Sequence, residues 1–350
     1  MCGSLTTLVR AAVAGLLLVA SGIALAARPA DDASRTRWLC ERTAVAAATD
    51  PRMGKLVAIA QDQHRLFGGQ VIDPAGGIVS VGFHEAEFDH AANDTTPTWS
   101  RVAAFWAALD KDLPETFTAP GPRRVDRARL FEQLKATSFA LGAGQAETLD
   151  AQQLDAIHSS LLRSALIDHP WSAVFLSYLM QAAGFSGDEF AFSDSHITYV
   201  KKAFTVSEVE AAGMPDVYAY RACDVRTTKP RPGDLLCHTR GTARMLDSFA
   251  GLRAELRRRD ASGMSAGLPM HCDIVVNADE NGNAKLATIG GNVFQSVTLR
   301  HMSLNARKHL GASYFGQPES RGCSEKGGSC RKGVSRQPWV VLLQSREQSR

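Results

Sequence analysis

Residues 173–180 read Ala-Val-Phe-Leu-Ser-Tyr-Leu-Met, and Val174, Phe175, Tyr178, Leu179 and Ala182 recur at helical spacing. The apolar stripe they form is too broad for a surface helix. Such a helix needs apolar cover on several sides, so the chain must build a layered fold around it. Gly184 stops the element, and His169-Pro170-Trp171-Ser172 leads into it. Ser172 therefore stands at, or just inside, the N-terminus of a core helix.

The cover is legible on both sides of that helix. Leu56, Ile59, Ala60 and Phe67 predict a helix over 55–67 ending at Gly68-Gly69. Val71-Ile72 and Ile78–Val81 flank Asp73-Pro74-Ala75-Gly76-Gly77 as a hairpin. Thr98 is a good N-cap for a helix carrying Trp99, Val102, Ala103, Trp106 and Leu109. Downstream, strands are expected over 235–238, 274–276, 284–289 and 293–299, with an Asn281-Gly282 turn in between. The apolar run Trp339–Leu343 is placed to close the sheet. Helices then strands give an α+β fold: a buried helix packed on an antiparallel sheet, with helical insertions near 111–165 and 244–268. The Arg257-Arg258-Arg259 run reads as a solvated helix face.

The N-terminus points to export. Arg10 precedes an apolar run from Ala11 to Ala27, which ends in Ala24-Leu25-Ala26 before Arg28-Pro29. A basic start, short apolar core and small-residue end predict a signal peptide over 1–27, a lead-in over 28–49 and a single domain over 50–345. An uncleaved anchor is the alternative, although it usually needs about 20 apolar residues. The expected location is periplasmic or secreted, with no membrane span after cleavage. A formal charge of +3 gives no argument for nucleic acid.

Of the seven cysteines, Cys2 would leave with the signal peptide. Cys40, Cys223, Cys237, Cys272, Cys323 and Cys330 remain, and an oxidising compartment permits disulfides among them. Cys323–Cys330 closes a short Gly/Ser-rich loop. Cys237 and Cys272 would face each other if their strands are neighbours. Cys237-His238 and His271-Cys272 also invite a zinc reading, but adjacent strand residues point to opposite faces and each pair could give one site only one ligand. No metal or cofactor is expected.

Three residues could carry chemistry. Ser172 would enjoy the backbone N–H groups and dipole of a helix N-terminus. His271 opens a strand, and Asn292 follows Gly290-Gly291 where the backbone can approach closely. Nucleophile, base and orienting group are the parts of an acyl-transfer site. Each also has a plain structural reading: an N-cap serine, a strand-start histidine, a turn asparagine. Glu85 and Glu87, two apart on an extended segment, would face one way as solvated carboxylates.

The order of these pieces resembles the NlpC-type and CHAP amidase/peptidase superfamily. The closer resemblance is to an uncharacterised bacterial domain-of-unknown-function family related to it. Arg101-Val102-Ala103-Ala104-Phe105-Trp106, Pro170-Trp171-Ser172-Ala173, Ser195-His196-x-x-Tyr199, His271-Cys272-Asp273-Ile274-Val275-Val276 and Gly290-Gly291-Asn292-Val293 carry it. The resemblance implies a papain-like core and an amide-bond hydrolase acting on peptidoglycan peptide or another cell-envelope amide. Ser172 would attack, His271 act as base, and Asn292 or Asp273 orient the imidazole, with Trp171, His196 and Tyr199 near the substrate. Serine stands where the superfamily has cysteine, so a catalytically silent binding or interaction module is the alternative reading.

Overall fold

The computed structural model describes residues 34–37, 39–41, 50–109, 150, 152, 153, 156, 160, 163, 170–264, 267–316 and 333–346. The expected signal peptide, the Cys323–Cys330 pair and most of the 111–165 insertion lie outside these.

Helix α1 spans Pro51–Leu66, four residues earlier than the apolar spacing suggests, because Asp50 caps it and Pro51 opens it. Strands β1 (Gln70–Ile72) and β2 (Ile78–Ser80) form the expected hairpin. In α2 (Thr98–Leu109), Thr98 is already helical, and its hydroxyl donates to Asp89 O at 2.8 Å rather than capping. Helix α3 (Ser172–Ala183) ends at Gly184, whose φ of 101° needs a residue without Cβ. Then come α4 (His196–Ala211), β3 (Tyr220–Asp224), β4 (Leu235–Thr239) and α5 (Phe249–Ala261). Strands β5 (Met270–Ala278), β6 (Lys285–Val293), β7 (Ser296–Ser303) and β8 (Trp339–Ser345) complete the set.

Among the described residues, the eight strands join one sheet in the order β2-β1-β7-β6-β5-β4-β8-β3. β1 and β7 pair in parallel, and the other neighbouring strands of the sheet are antiparallel among the described residues. The run at 339–345 therefore lies inside the sheet, between β4 and β3. Helix α3 lies against β5 and β6, flanked by α1 and α2. One face of the sheet carries the main core, in which Val174, Phe175 and Leu179 meet Ile274 and Ile289. The opposite face carries a smaller core of Leu236, Val275, Met302, Trp339 and Leu342, covered by Leu310 and Tyr314. Strand alternation divides β5 between the two: Cys272 and Ile274 on the helix side, Val275 on the other.

Two disulfides staple the fold. Cys40 of the lead-in is bonded to Cys223 on β3, so that part of the segment is tied down rather than loose. Cys237 and Cys272 are bonded across β4 and β5, where they stand directly opposite each other. Both indicate an oxidising, extracytoplasmic setting. Among the described residues, no helix is long and apolar enough to cross a membrane. Helix α5 lies where an insertion was expected and buries Leu252 and Leu256, while Arg257 pairs with Glu208 and Arg258 and Arg259 pair with Glu255.

Candidate functional site

Ser172 is the first residue of α3, and its side chain makes no capping bond. Its Oγ lies 2.7 Å from His196 Nε2 instead. The expected partner, His271, is not the one that binds it. The reason lies in α4, which brings the imidazole of its own first residue to the start of α3. Tyr199 sits one turn along α4, on the same helix face as His196, and its hydroxyl is hydrogen-bonded to His196 Nδ1. A chain Ser172–His196–Tyr199 results. It is buried throughout: Ser172 is 1 %, His196 3 % and Tyr199 0 % exposed. Burial, reinforced by the nearby His271 and Arg240, holds His196 well below the usual histidine range, so it is a neutral imidazole. Burial likewise pushes the Tyr199 phenol well up. In the tautomer that carries its proton on Nδ1, His196 donates to Tyr199 and Nε2 is left to accept from Ser172.

His271 has a different neighbour. Its Nε2 is 2.8 Å from Asp273 Oδ1, two residues along β5 on the same face. Asp273 Oδ2 accepts from Thr288 Oγ1 at 3.1 Å and Arg300 Nε at 3.3 Å. Burial alone would raise this carboxyl, but the His271 hydrogen bond and the Arg300 charge outweigh it and hold Asp273 well below the carboxylate range. Asp273 is therefore a buried anion and not a solvent-facing strand residue.

A third imidazole completes the group. His238 pairs across the sheet with His271, their rings 5.4 Å apart, and its Nδ1–H donates to Thr239 O at 3.0 Å. Burial and the neighbouring His271 lower it to about 3. His196 and His271 are 5.1 Å apart, ring to ring. The disulfide occupies both thiols beside these histidines. Among the described residues, no group of three His, Cys, Asp or Glu is placed to hold a metal ion.

Asn292 does not reach His271. A register shift between Gly290 and Val293 turns the strand, leaving Asn292 half-buried with φ 53°. The preceding glycines are required by packing: a Cβ on Gly291 would lie 2.5 Å from Phe175 Cβ. Trp171 is fully buried, and its indole N–H donates to Glu85 Oε2 at 2.5 Å. None of Trp171, His196 and Tyr199 presents an open face to solvent. Glu85 is buried at 4 %, correcting the expectation of a solvated pair, whereas Glu87 accepts from His84 N near the surface. Glu85 also joins Ser172's neighbour to the β6–β7 hairpin, because its N–H donates to Gln295 O at 2.8 Å.

The sequence names His196 and Tyr199, through the resemblance and because they follow closely on the helix begun by Ser172, but not their pairing with Ser172. His238 is missed as part of the group. Its position opposite His271 follows only once β4 and β5 are paired in register.

No curated protein and no solved structure matches the chain. A family model does match, over residues 93–345, most of the sequence. The chain belongs to the family described as an uncharacterized protein conserved in bacteria, DUF2272.

Proposed function

We propose that the protein is an exported hydrolase that cleaves amide bonds of cell-envelope peptide, with Ser172 as nucleophile and His196 as its base. The observation that carries this reading is the 2.7 Å contact between Ser172 Oγ and His196 Nε2. A serine hydroxyl has no useful ionised form at neutral pH, so its proton must leave as it attacks, and this contact gives it somewhere to go. Ser172 Oγ would bond to the carbonyl carbon while Nε2 takes the hydroxyl proton. The imidazolium would give that proton to the leaving amine as the C–N bond breaks. Water, deprotonated by the same imidazole, would then release the acyl group. The first N–H groups of α3 are available to the developing oxyanion.

That the bond is an amide, and that peptidoglycan supplies it, rests on the resemblance to the NlpC-type and CHAP superfamily. A papain-like reading of the core is favoured by the helix with Ser172 at its start lying on the antiparallel strand that bears His271. His271, oriented by Asp273, would stand behind His196, and Asn292 would serve the substrate rather than an imidazole.

A second reading has its own observation. Ser172 is 1 % exposed, and its imidazole is backed by a neutral phenol where serine hydrolases commonly place a carboxylate. On that reading the protein is a silent module that binds the cell wall. Incubation with purified peptidoglycan separates the two. Soluble fragments released by the native chain and not by Ser172→Ala support the hydrolase. Retention on the insoluble wall with no release supports the binder.

A further inference from the structure

Arg240 follows directly on β4 in an extended conformation, φ −141° and ψ 173°. Its N–H donates to Pro269 O at 2.9 Å, which carries the β4–β5 pairing one step beyond Thr239 and Met270. Strand alternation therefore turns Arg240 to the side of His238, two residues earlier. That side holds the imidazole group: His238 beside His271, and His271 beside His196.

What sets Arg240 apart is its lack of an anion. The other arginines of this part of the fold are engaged: Arg300 with Asp273, Arg221 and Arg346 with Glu210, Arg231 with Asp234. Arg240 is half-buried, yet among the described residues no carboxylate lies within ion-pair distance and no acceptor takes a hydrogen bond from its guanidinium. Its positive charge lies within electrostatic reach of the neutral Tyr199 phenol and the neutral His196 imidazole. A partly desolvated cation without a counter-ion is unfavourable in the free protein. It becomes favourable when a ligand brings the anion.

We infer that Arg240 binds a free carboxylate of the substrate, next to the bond that Ser172 attacks. This rests on the reading of Ser172 and His196 as the reacting pair. A single guanidinium presents a planar fork that matches one carboxylate in a bidentate pair. Phosphate sites more often gather several donors or cations, and no second free cation stands beside Arg240 among the described residues. The substrate class is thus an acyl compound with an acidic end, such as a peptide cut near its C-terminus.

The test is an equilibrium one. The full chain carrying Ser172→Ala is titrated calorimetrically with N-acetyl-alanyl-alanine, in D and L forms, as the free acid and as the C-terminal amide. Inorganic phosphate is titrated in parallel. At least one free acid should bind tenfold or more tightly than its amide and more tightly than phosphate. Adding Arg240→Gln should abolish that preference, and Arg240→Lys should restore only part of it. Equal binding of acid and amide, tighter binding of phosphate, no binding of any probe, or an acid preference that survives Arg240→Gln would each overturn the inference. Should Arg240→Gln fail to fold by its melting curve, the acid–amide comparison in the Arg240 protein decides alone. Because no turnover is read, an inactive native protein that still prefers the acid would refute the nucleophile and leave Arg240 standing.

Discussion

His196 and His271 lie 5.1 Å apart, ring to ring, but the groups that hold them differ in kind: a tyrosine hydroxyl for the first, a buried carboxylate for the second. Ser172 is bonded to the one held by the hydroxyl.

That asymmetry predicts unequal effects on turnover. His196→Gln should lower kcat by about 10²–10⁴-fold, the usual worth of a general base. Tyr199→Phe should cost less, on the order of tenfold, since it removes an orienting partner and leaves the base. It should also destabilise the fold by about 1–3 kcal/mol, because Nδ1 is left buried and unpaired. Steady-state kinetics on a released wall peptide, with urea melts alongside, check both. A larger kcat loss for Tyr199→Phe than for His196→Gln would contradict the assignment.

Stability should fall in acid, and the sign follows from which state binds protons. Burial keeps His238 at about 3 and His196 well below its ordinary value, whereas an unfolded histidine titrates near about 6.5. The unfolded chain therefore holds more protons between about pH 6.5 and 3, so this contribution is complete above that window and lost on descending through it. Asp273, held low by His271 and Arg300 against the effect of burial, adds a loss below about pH 4. Asp234 opposes them: burial raises it to about 6, so its contribution fades as pH rises through that value. Urea midpoints should decline from pH 7 to pH 4, and His238→Gln should flatten the slope. A native midpoint constant over that range would refute this.

The two disulfides should differ in worth. Cys40 and Cys223 are 183 residues apart, Cys237 and Cys272 only 35. A longer closed loop restricts the unfolded chain more, so replacing Cys40 and Cys223 by serine should cost about 2–5 kcal/mol and exceed the loss from the other pair. Thermal melts of the two double variants, each compared with the oxidised native chain, measure the difference. Equal losses would mean that local packing, not chain closure, sets these values.

Much of this architecture is legible in the residues, and the failures have identifiable causes. Helix α3 and strands β5 and β6 follow from apolar spacing and the Asn281-Gly282 turn, because burial imposes that spacing directly. The start of α1 depends on Asp50 and Pro51, which carry no apolar signal. Helix α4 and strand β3 escape notice because charged and polar residues interrupt their apolar faces. For the site, the sequence supplies Ser172, His196, Tyr199, His271 and Asp273 as names. Which imidazole meets Ser172 is set by how α4 packs on β3 and β5, bringing its first residue to the start of α3, a tertiary fact with no local signature. Glu85 reads as solvated because nothing nearby in sequence reveals that Trp171 covers it.

The hairpin joining β6 and β7 carries a local conflict. Val293 pairs with Ser296, so Phe294 and Gln295 form a two-residue turn with φ of 51° and 60°. Turns with both central residues left-handed favour Asn-Gly. Phe294→Asn with Gln295→Gly should therefore stabilise the protein by about 1–2 kcal/mol by relieving backbone strain, read from urea unfolding. The Glu85 N–H bond to residue 295 is a backbone bond and should survive. A loss of stability would show that the exposed Phe294 side chain has a packing role.

Ser172 should be a nucleophile activated by His196. Labelling with a small fluorophosphonate, followed by mass spectrometry of the peptide that contains Ser172, asks this directly and needs no knowledge of the substrate. The prediction is a covalent adduct on Ser172 in the native chain, absent in His196→Gln and present in His271→Gln. No adduct on the folded native protein, or an adduct that requires His271 and not His196, would contradict it.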